Sequence, residues 1–299
     1  MLDYKLVEAF AVVAKEGGFE KAAKVLHLTQ SAVSQRVKLL EEQAGCILLV
    51  RSSPPKPTSA GREMLKHFRQ VRQLEADLGS GLGKGNEQFT TLPVGINADS
   101  LATWFFPAIN DYLDMNSVLL DIAVDDQAQT HQLLRDGEVL GCVSERSEAI
   151  QGCRVEYLGD QVYKMYGTSE YKTKWFNDGI TLSAIEQAPI LIFNRKDIMH
   201  NTLISGAIGE NPTSYNGFYL PSSEKFAPTI ATGRASGMLP PQQADEYLER
   251  GELVDLMPGH SYTVRLHWHC WNLESGELTR FTDALVAGAR RELLEKQSA

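Results

Sequence analysis

Apolar positions in the first sixty residues recur at helical spacing in three short runs. Leu6, Phe10, Val13 and Ala14 share one stripe, which Gly17-Gly18 ends. Phe19 to Leu26 (FEKAAKVL) predicts a second short helix, whose Ala22-Ala23 pair lets a neighbouring helix approach closely. His27-Leu28 makes a tight connection to Thr29–Glu42 (TQSAVSQRVKLLEE), a third helix. Thr29 can cap it by accepting an orphan backbone N–H. Val33, Val37 and Leu40 face a small core, while Gln30, Ser31, Ser34, Gln35 and Lys38 lie largely off the stripe, with Arg36 among the polar positions. Two short helices at a tight turn, the second polar at its start, form a helix-turn-helix. That polar face suits a DNA major groove, where amides pair with adenine and hydroxyls and cations hold phosphate. It equally suits the solvent side of an ordinary amphipathic helix.

Ile47 to Val50 then reads as a strand, followed by Arg51 and Ser52-Ser53-Pro54-Pro55-Lys56-Pro57. Three prolines lower the cost of ordering this return segment. It predicts a wing along the minor groove, with Arg51 and Lys56 near the phosphates and Pro57 beside them at the DNA; a solvated proline loop is the alternative. Thr58 or Ser59 can cap a long helix on which Met64, Leu65, Phe68, Val71, Leu74 and Leu78 make an apolar stripe. GSGLGKGNEQ follows as a Gly-rich linker. A stripe between two linkers has little core of its own to join, so it predicts packing on the same helix of a second subunit, with packing on its own chain as the alternative.

From Leu92 the period changes. LPVGIN, VLLDIAV and Val139–Ser144 read as strands, alternating with helices over Ser100–Leu113 and Gln127–Arg135. A second group follows: VYKMYGT, PILIF, a helix from Asp197 to Ser205, SYNGFYL, a helix from Ser223 to Thr232, and a strand over Ala235–Leu239. TVRLHWHCW and a helix from Leu278 to Leu294 return to the first group. This alternation predicts α/β lobes with parallel strands. Ligands in such sheets sit beyond the carboxyl ends of the strands. Asp99 and Ser100, Asp125, Ser144, Asn194 and Asp197, and Ser223 and Glu224 all fall at such junctions. Helix starts with Ser100 and Ser223 suit an α-carboxylate. Asp99, Asp125 and Asp197 suit a cationic side chain. Singly, Asp99 and Asp197 equally suit helix caps, and Asp125-Asp126 a solvated loop.

The net charge of −9 is unexpected for a DNA binder, but it is unevenly spread. Residues 1–84 carry 13 Lys/Arg against 9 Asp/Glu, and the remainder 16 against 29. The acidic part should face away from DNA, and so modest a basic charge predicts two modules acting together. No long uncharged apolar run or signal core occurs, which predicts a cytoplasmic protein with no membrane contact. Cys46, Cys142, Cys153 and Cys270 lack metal spacing and read as reduced packing residues. His131, His200, His260, His267 and His269 form no ligand motif, and no G-x-S-x-G elbow, P-loop or dinucleotide fingerprint occurs. No catalytic residue, metal or cofactor is expected.

GGFEKAAKVLHLTQSAVSQRVKLLEEQAG with LLVR and PTSAG resembles, in order and spacing, the DNA-binding end of LysR-type transcriptional regulators. VRSSPPKPT, NADSLATWFFPA, DGEVLGCVS, the Asp197-Ile198-Met199-His200 run and GELVDL extend the resemblance to nearly the whole chain, towards members that respond to arginine or lysine. The resemblance implies a winged helix-turn-helix at 1–58 and a dimerisation helix and hinge at 59–88. It also implies a two-lobed effector domain of periplasmic-binding-protein type at 89–299. Its first lobe would be about 89–162 plus 267–299, and its second about 163–266. Double-stranded DNA, a second or further copies of the chain as dimer or tetramer, RNA polymerase and lysine or arginine are the implied partners. Genes such as an amino-acid exporter are the implied targets. A role in inhibiting replication initiation rests on the resemblance alone. Two alternatives stand beside it: another small effector, or a binding protein or enzyme whose N-terminal helices only mediate assembly.

Overall fold

The computed structural model of the protein describes residues 2–50, 52–81, 89–124 and 130–295. Helices α1 (Tyr4–Glu16), α2 (Phe19–Val25) and α3 (Gln30–Ala44) open the chain. Asp3 caps α1 by accepting the Lys5 N–H at 2.9 Å. Phe10, Val13, Ala22, Val33, Val37 and Leu40 meet in one small core, as the periodicity predicts. Strands β1 (Leu49–Val50) and β2 (Lys56–Pro57) pair antiparallel to form the wing.

The long helix α4 (Ser59–Gly81) begins directly at the wing. Its first turns lie against α1, and this corrects part of the expected subunit seam. Leu65 is buried in the winged-helix core of its own chain, with Met64 and Phe68 packed beside it. Further along, Val71 is half-buried, while Leu74 and Leu78 stand exposed at 41% and 63%. A different face of α4 touches the following domain through Arg62, Arg69 and Gln73.

That domain runs β3 (Thr90–Ile96), α5 (Ala98–Ala102), α6 (Phe105–Met115), β4 (Val118–Val124), α7 (Thr130–Arg135) and β5 (Gly141–Ser144). It continues through β6 (Cys153–Gly167), α8 (Ser169–Phe176), α9 (Leu182–Gln187), β7 (Pro189–Ile192), α10 (Met199–Ile208) and β8 (Asn216–Tyr219). A 3₁₀ turn (Ser223–Lys225), α11 (Phe226–Ala231), β9 (Ser236–Leu239), α12 (Pro241–Glu249), β10 (Val254–Asp255), β11 (Tyr262–Trp271) and α13 (Gly276–Arg290) complete it, with a π-helical turn over Arg291–Glu295. The strand order is β4-β3-β5-β11-β6-β9-β7-β8, with β10 on β6. β3 is parallel to β4 and β5, and β7 is parallel to β8 and β9. The two parallel groups are tied by β6 and β11, which pair antiparallel along their length.

Two helices expected to be continuous are broken, and a proline accounts for each. Ser100–Leu113 splits into α5 and α6 at Thr103, and Ser223–Thr232 into the 3₁₀ turn and α11. Pro107 and Pro228 then each fall at the third residue of a new helix. There their missing N–H leaves no intrahelical bond unmade. The core is apolar, with Trp104, Phe105, Trp268 and Phe281 fully buried. Gly288 of α13 lets α6 approach, since a Cβ there would lie 2.7 Å from Ala108 Cα.

Candidate functional site

Thr29 caps the third helix as its sequence predicts, accepting the Ala32 N–H at 3.2 Å. Gln30, Ser31, Ser34, Gln35 and Lys38 are exposed on α3, and Arg36 is half-buried. Glu41 on the same helix accepts the backbone N–H groups of Leu48 at 2.8 Å and Leu49 at 3.1 Å. One carboxylate thus ties the wing to the recognition helix and fixes the angle between them. A groove of about 550 Å³ lies between, lined by Lys21 of α2, Gln30, Ser34 and Lys38 of α3, and Ser52 and Pro55 of the wing. Lys56 is exposed beside it, with Pro57 half-buried. Arg51 lies outside the described residues. Neither Lys21 nor Glu41 stood out in the sequence, because each acts only once α2, α3 and the wing are assembled.

The second site lies where the parallel groups meet. Asp99 of α5 accepts a hydrogen bond at 2.8 Å from the Tyr163 hydroxyl on the crossing strand β6. Burial, then the Asp99 charge, and then Asp197 hold the Tyr163 hydroxyl well above its ordinary pKa, so it remains a donor. Asp197 precedes α10 and accepts the Met199 N–H at 2.9 Å. Its other oxygen lies 3.7 Å from His200 Nδ1, both side chains being almost fully buried. Burial alone would raise the Asp197 pKa, but the neighbouring His200 imidazole, with backbone N–H groups of Met199 and Phe193, holds it below the ordinary value. Tyr262 of β11 is lifted by burial, then by Glu145 and Asp197. Burial, then Asp197, push Tyr215 up to about 12. Asp99 thus bonds Tyr163 directly, while the Asp197 charge acts on Tyr163, Tyr215 and Tyr262.

Ser100 is buried, and its Oγ has no hydrogen-bond partner among the described residues. The helix it belongs to touches the 3₁₀ turn that holds Ser223. Both elements are shorter than their sequence predicts, so a carboxylate here would depend on hydroxyl and amide donors more than on a helix dipole. Ser223 already accepts from Gln243 Nε2 at 3.0 Å. Ser144 is buried and accepts the Arg146 N–H at 3.3 Å. Asn194 accepts the Lys196 N–H at 2.7 Å, and Glu224 is exposed. Asp125 lies outside the described residues. Tyr163 and His200 were missed as site residues, since β6 reaches α5 only through the sheet. The described residues contain no group of three or more His, Cys, Asp or Glu placed to hold a metal ion. No helix among them is long and apolar enough to cross a membrane.

Residues 4–62 match the family described as the bacterial regulatory helix-turn-helix protein, lysR family. The HTH-type transcriptional regulator ArgP of Aeromonas salmonicida is 37% identical over 293 residues, covering 98% of each chain. The crystal structure of ArgP from Mycobacterium tuberculosis superposes with a TM-score of 0.86 at 34% identity, over 97% of this chain and 98% of that one. Full-length LysG from Corynebacterium glutamicum, solved with bound effector Arg, gives 0.79 at 32% identity, over 98% and 99%. The chain therefore belongs to the LysR-type family of DNA-binding transcriptional regulators, which are not enzymes.

Proposed function

We propose that the chain is a cytoplasmic, at least dimeric regulator that binds lysine or arginine between its two lobes and changes its grip on DNA in response. The observation that carries this reading is the hydrogen bond from the buried Tyr163 hydroxyl to Asp99, on which the Asp197 charge also acts. Two carboxylates held beside buried hydroxyls favour a cationic side chain, because a cation there restores charge balance in a poorly solvated space. Ser100 Oγ supplies an unengaged polar atom for the effector's α-carboxylate. The arginine bound in LysG, a relative covering nearly the whole chain, supports the same ligand class. Gln30, Ser31, Ser34 and Gln35 read bases, while Thr29, Arg36, Lys38, Arg51, Lys56 and Pro57 hold the backbone. Val71, Leu74 and Leu78 form the seam with a second α4. The regulator assembles as a dimer or tetramer and contacts RNA polymerase.

A thermal-shift panel of amino acids tests the ligand class. A ligand that binds only the folded chain at a hundred times its Kd adds about 2.7 kcal/mol of stability. Lysine or arginine should raise the melting temperature, and norleucine or glutamate should leave it unchanged. Equal shifts across the panel would contradict the proposal.

A further inference from the structure

Helix α4 is not a free spacer in this chain. Arg62 Nε lies 3.2 Å from Asp136 Oδ1 in the turn after α7, and its Nη1 donates to the wing carbonyl of Pro57 at 3.4 Å. One turn further, Lys66 covers Gly137 so closely that a Cβ on Gly137 would lie 2.6 Å from Lys66 Cβ and 2.7 Å from its Cα. Gly137 sits at φ +68, where a side chain is also strained. Arg69 Nη1 donates to the Gly137 carbonyl oxygen. Gln73 is buried and donates to Ser275 Oγ at 3.3 Å, and that hydroxyl also caps α13 by accepting from Leu278 at 3.2 Å. Residues 62, 66, 69 and 73 follow helical spacing, so they form one face of α4. The exposed Leu74 and Leu78 follow neither that spacing nor that burial.

The turn that receives this face ends α7, whose other end is fastened near the ligand site. Thr130 Oγ1 donates to the Val143 carbonyl at 2.6 Å. Glu145, two residues further along the chain, is one of the charges acting on Tyr262. A six-residue helix thus spans from the strand end beside the cleft to the underside of the linker helix. We propose that the Arg62-Lys66-Arg69-Gln73 face of α4, seated on Asp136-Gly137 and Ser275, is an intrachain latch. It holds the DNA-binding module against the effector domain, and α7 connects it to the occupancy of the cleft. The relay part rests on the effector reading above; the latch itself does not. The contact is mostly polar and small, as suits an element that must open and close at modest cost.

The test uses the full-length protein. Asp136→Arg places two cations together at Arg62, and Arg62→Glu with Asp136→Arg restores an opposite-charge pair. Hydrogen exchange of the ligand-free protein is the first measurement. Asp136→Arg should speed exchange over residues 62–73 and 130–138 together, and the reversed pair should slow it again. Unchanged exchange in both segments would overturn the latch. The second measurement is the DNA Kd with and without lysine, beside the lysine Kd by calorimetry. Asp136→Arg should keep lysine affinity within about twofold. Lysine's effect on DNA affinity, about fivefold or more in the parent, should shrink below twofold. The reversed pair should recover it. A variant that kept the full lysine effect would overturn the relay. If the parent bound neither lysine nor arginine, the effector reading would fall, and the exchange measurement alone would decide the latch.

Discussion

Asp197→Asn separates the charge of the effector site from its scaffold. The asparagine Oδ1 can still accept the Met199 N–H that Asp197 accepts at 2.9 Å, so the first N–H of α10 keeps its acceptor. What disappears is the charge on the second oxygen, which lies 3.7 Å from His200. In the bound state that charge would face the ligand cation in a pocket where the Asp197 side chain is only 6% exposed. Truncating one partner of a buried, hydrogen-bonded charge pair costs about 2–5 kcal/mol, much of it from the stranded partner. At ~1.4 kcal/mol per tenfold, lysine should bind at least ten times more weakly. Norleucine lacks the cation and should bind the parent poorly and the variant about as poorly. The difference between the two ligands should therefore collapse. Calorimetry with both ligands on parent and variant gives the four constants. A lysine-to-norleucine ratio that survives the substitution would refute the role of Asp197 in charge recognition.

Gln30→Ala or Ser34→Ala should cost roughly 1–3 kcal/mol on the cognate duplex and little on a random one, read by fluorescence anisotropy. Lys56→Ala should instead weaken both duplexes alike and lower the salt slope by about 0.9. Leu74→Glu or Leu78→Glu should yield monomers in sedimentation with the single-chain fold intact; because Leu65 and Phe68 belong to the winged-helix core, the same change there should unfold that core as well. The Asp197 pKa is lower in the folded chain than in the unfolded one. Its contribution is therefore complete above the ordinary carboxylate pKa and is lost as pH falls through the folded value. Urea denaturation from about pH 7 down to about pH 3 should show a shallower acid loss for Asp197→Asn than for the parent.

The local rules were strong where one element decides its own form. Val33, Val37 and Leu40 with the Thr29 cap located α3, and VLLDIAV coincides with β4. They weakened where a neighbour decides. Only the second half of β6 was readable as a strand, because Cys153–Asp160 is paired by β11 across a register shift at Leu266/His267 rather than marked by an apolar run. The two broken helices carried a readable sign, since a proline lay inside each expected span. The stripe on α4 was legible but its partner was not. Periodicity reports that a face is apolar, whereas Leu65 meets its own core and Leu78 stays exposed for reasons of tertiary placement. The same limit hid Tyr163, whose bond to Asp99 joins positions far apart in the chain.

The central claim is that a basic amino acid, recognised through its charge, alters DNA binding by this chain. Its most direct measurement is the Kd of the full-length protein for its cognate duplex, titrated with lysine, arginine or norleucine at constant salt. The account predicts a change of about fivefold or more with lysine or arginine and none with norleucine. An unchanged Kd with both basic amino acids, or the same change with norleucine, would contradict it.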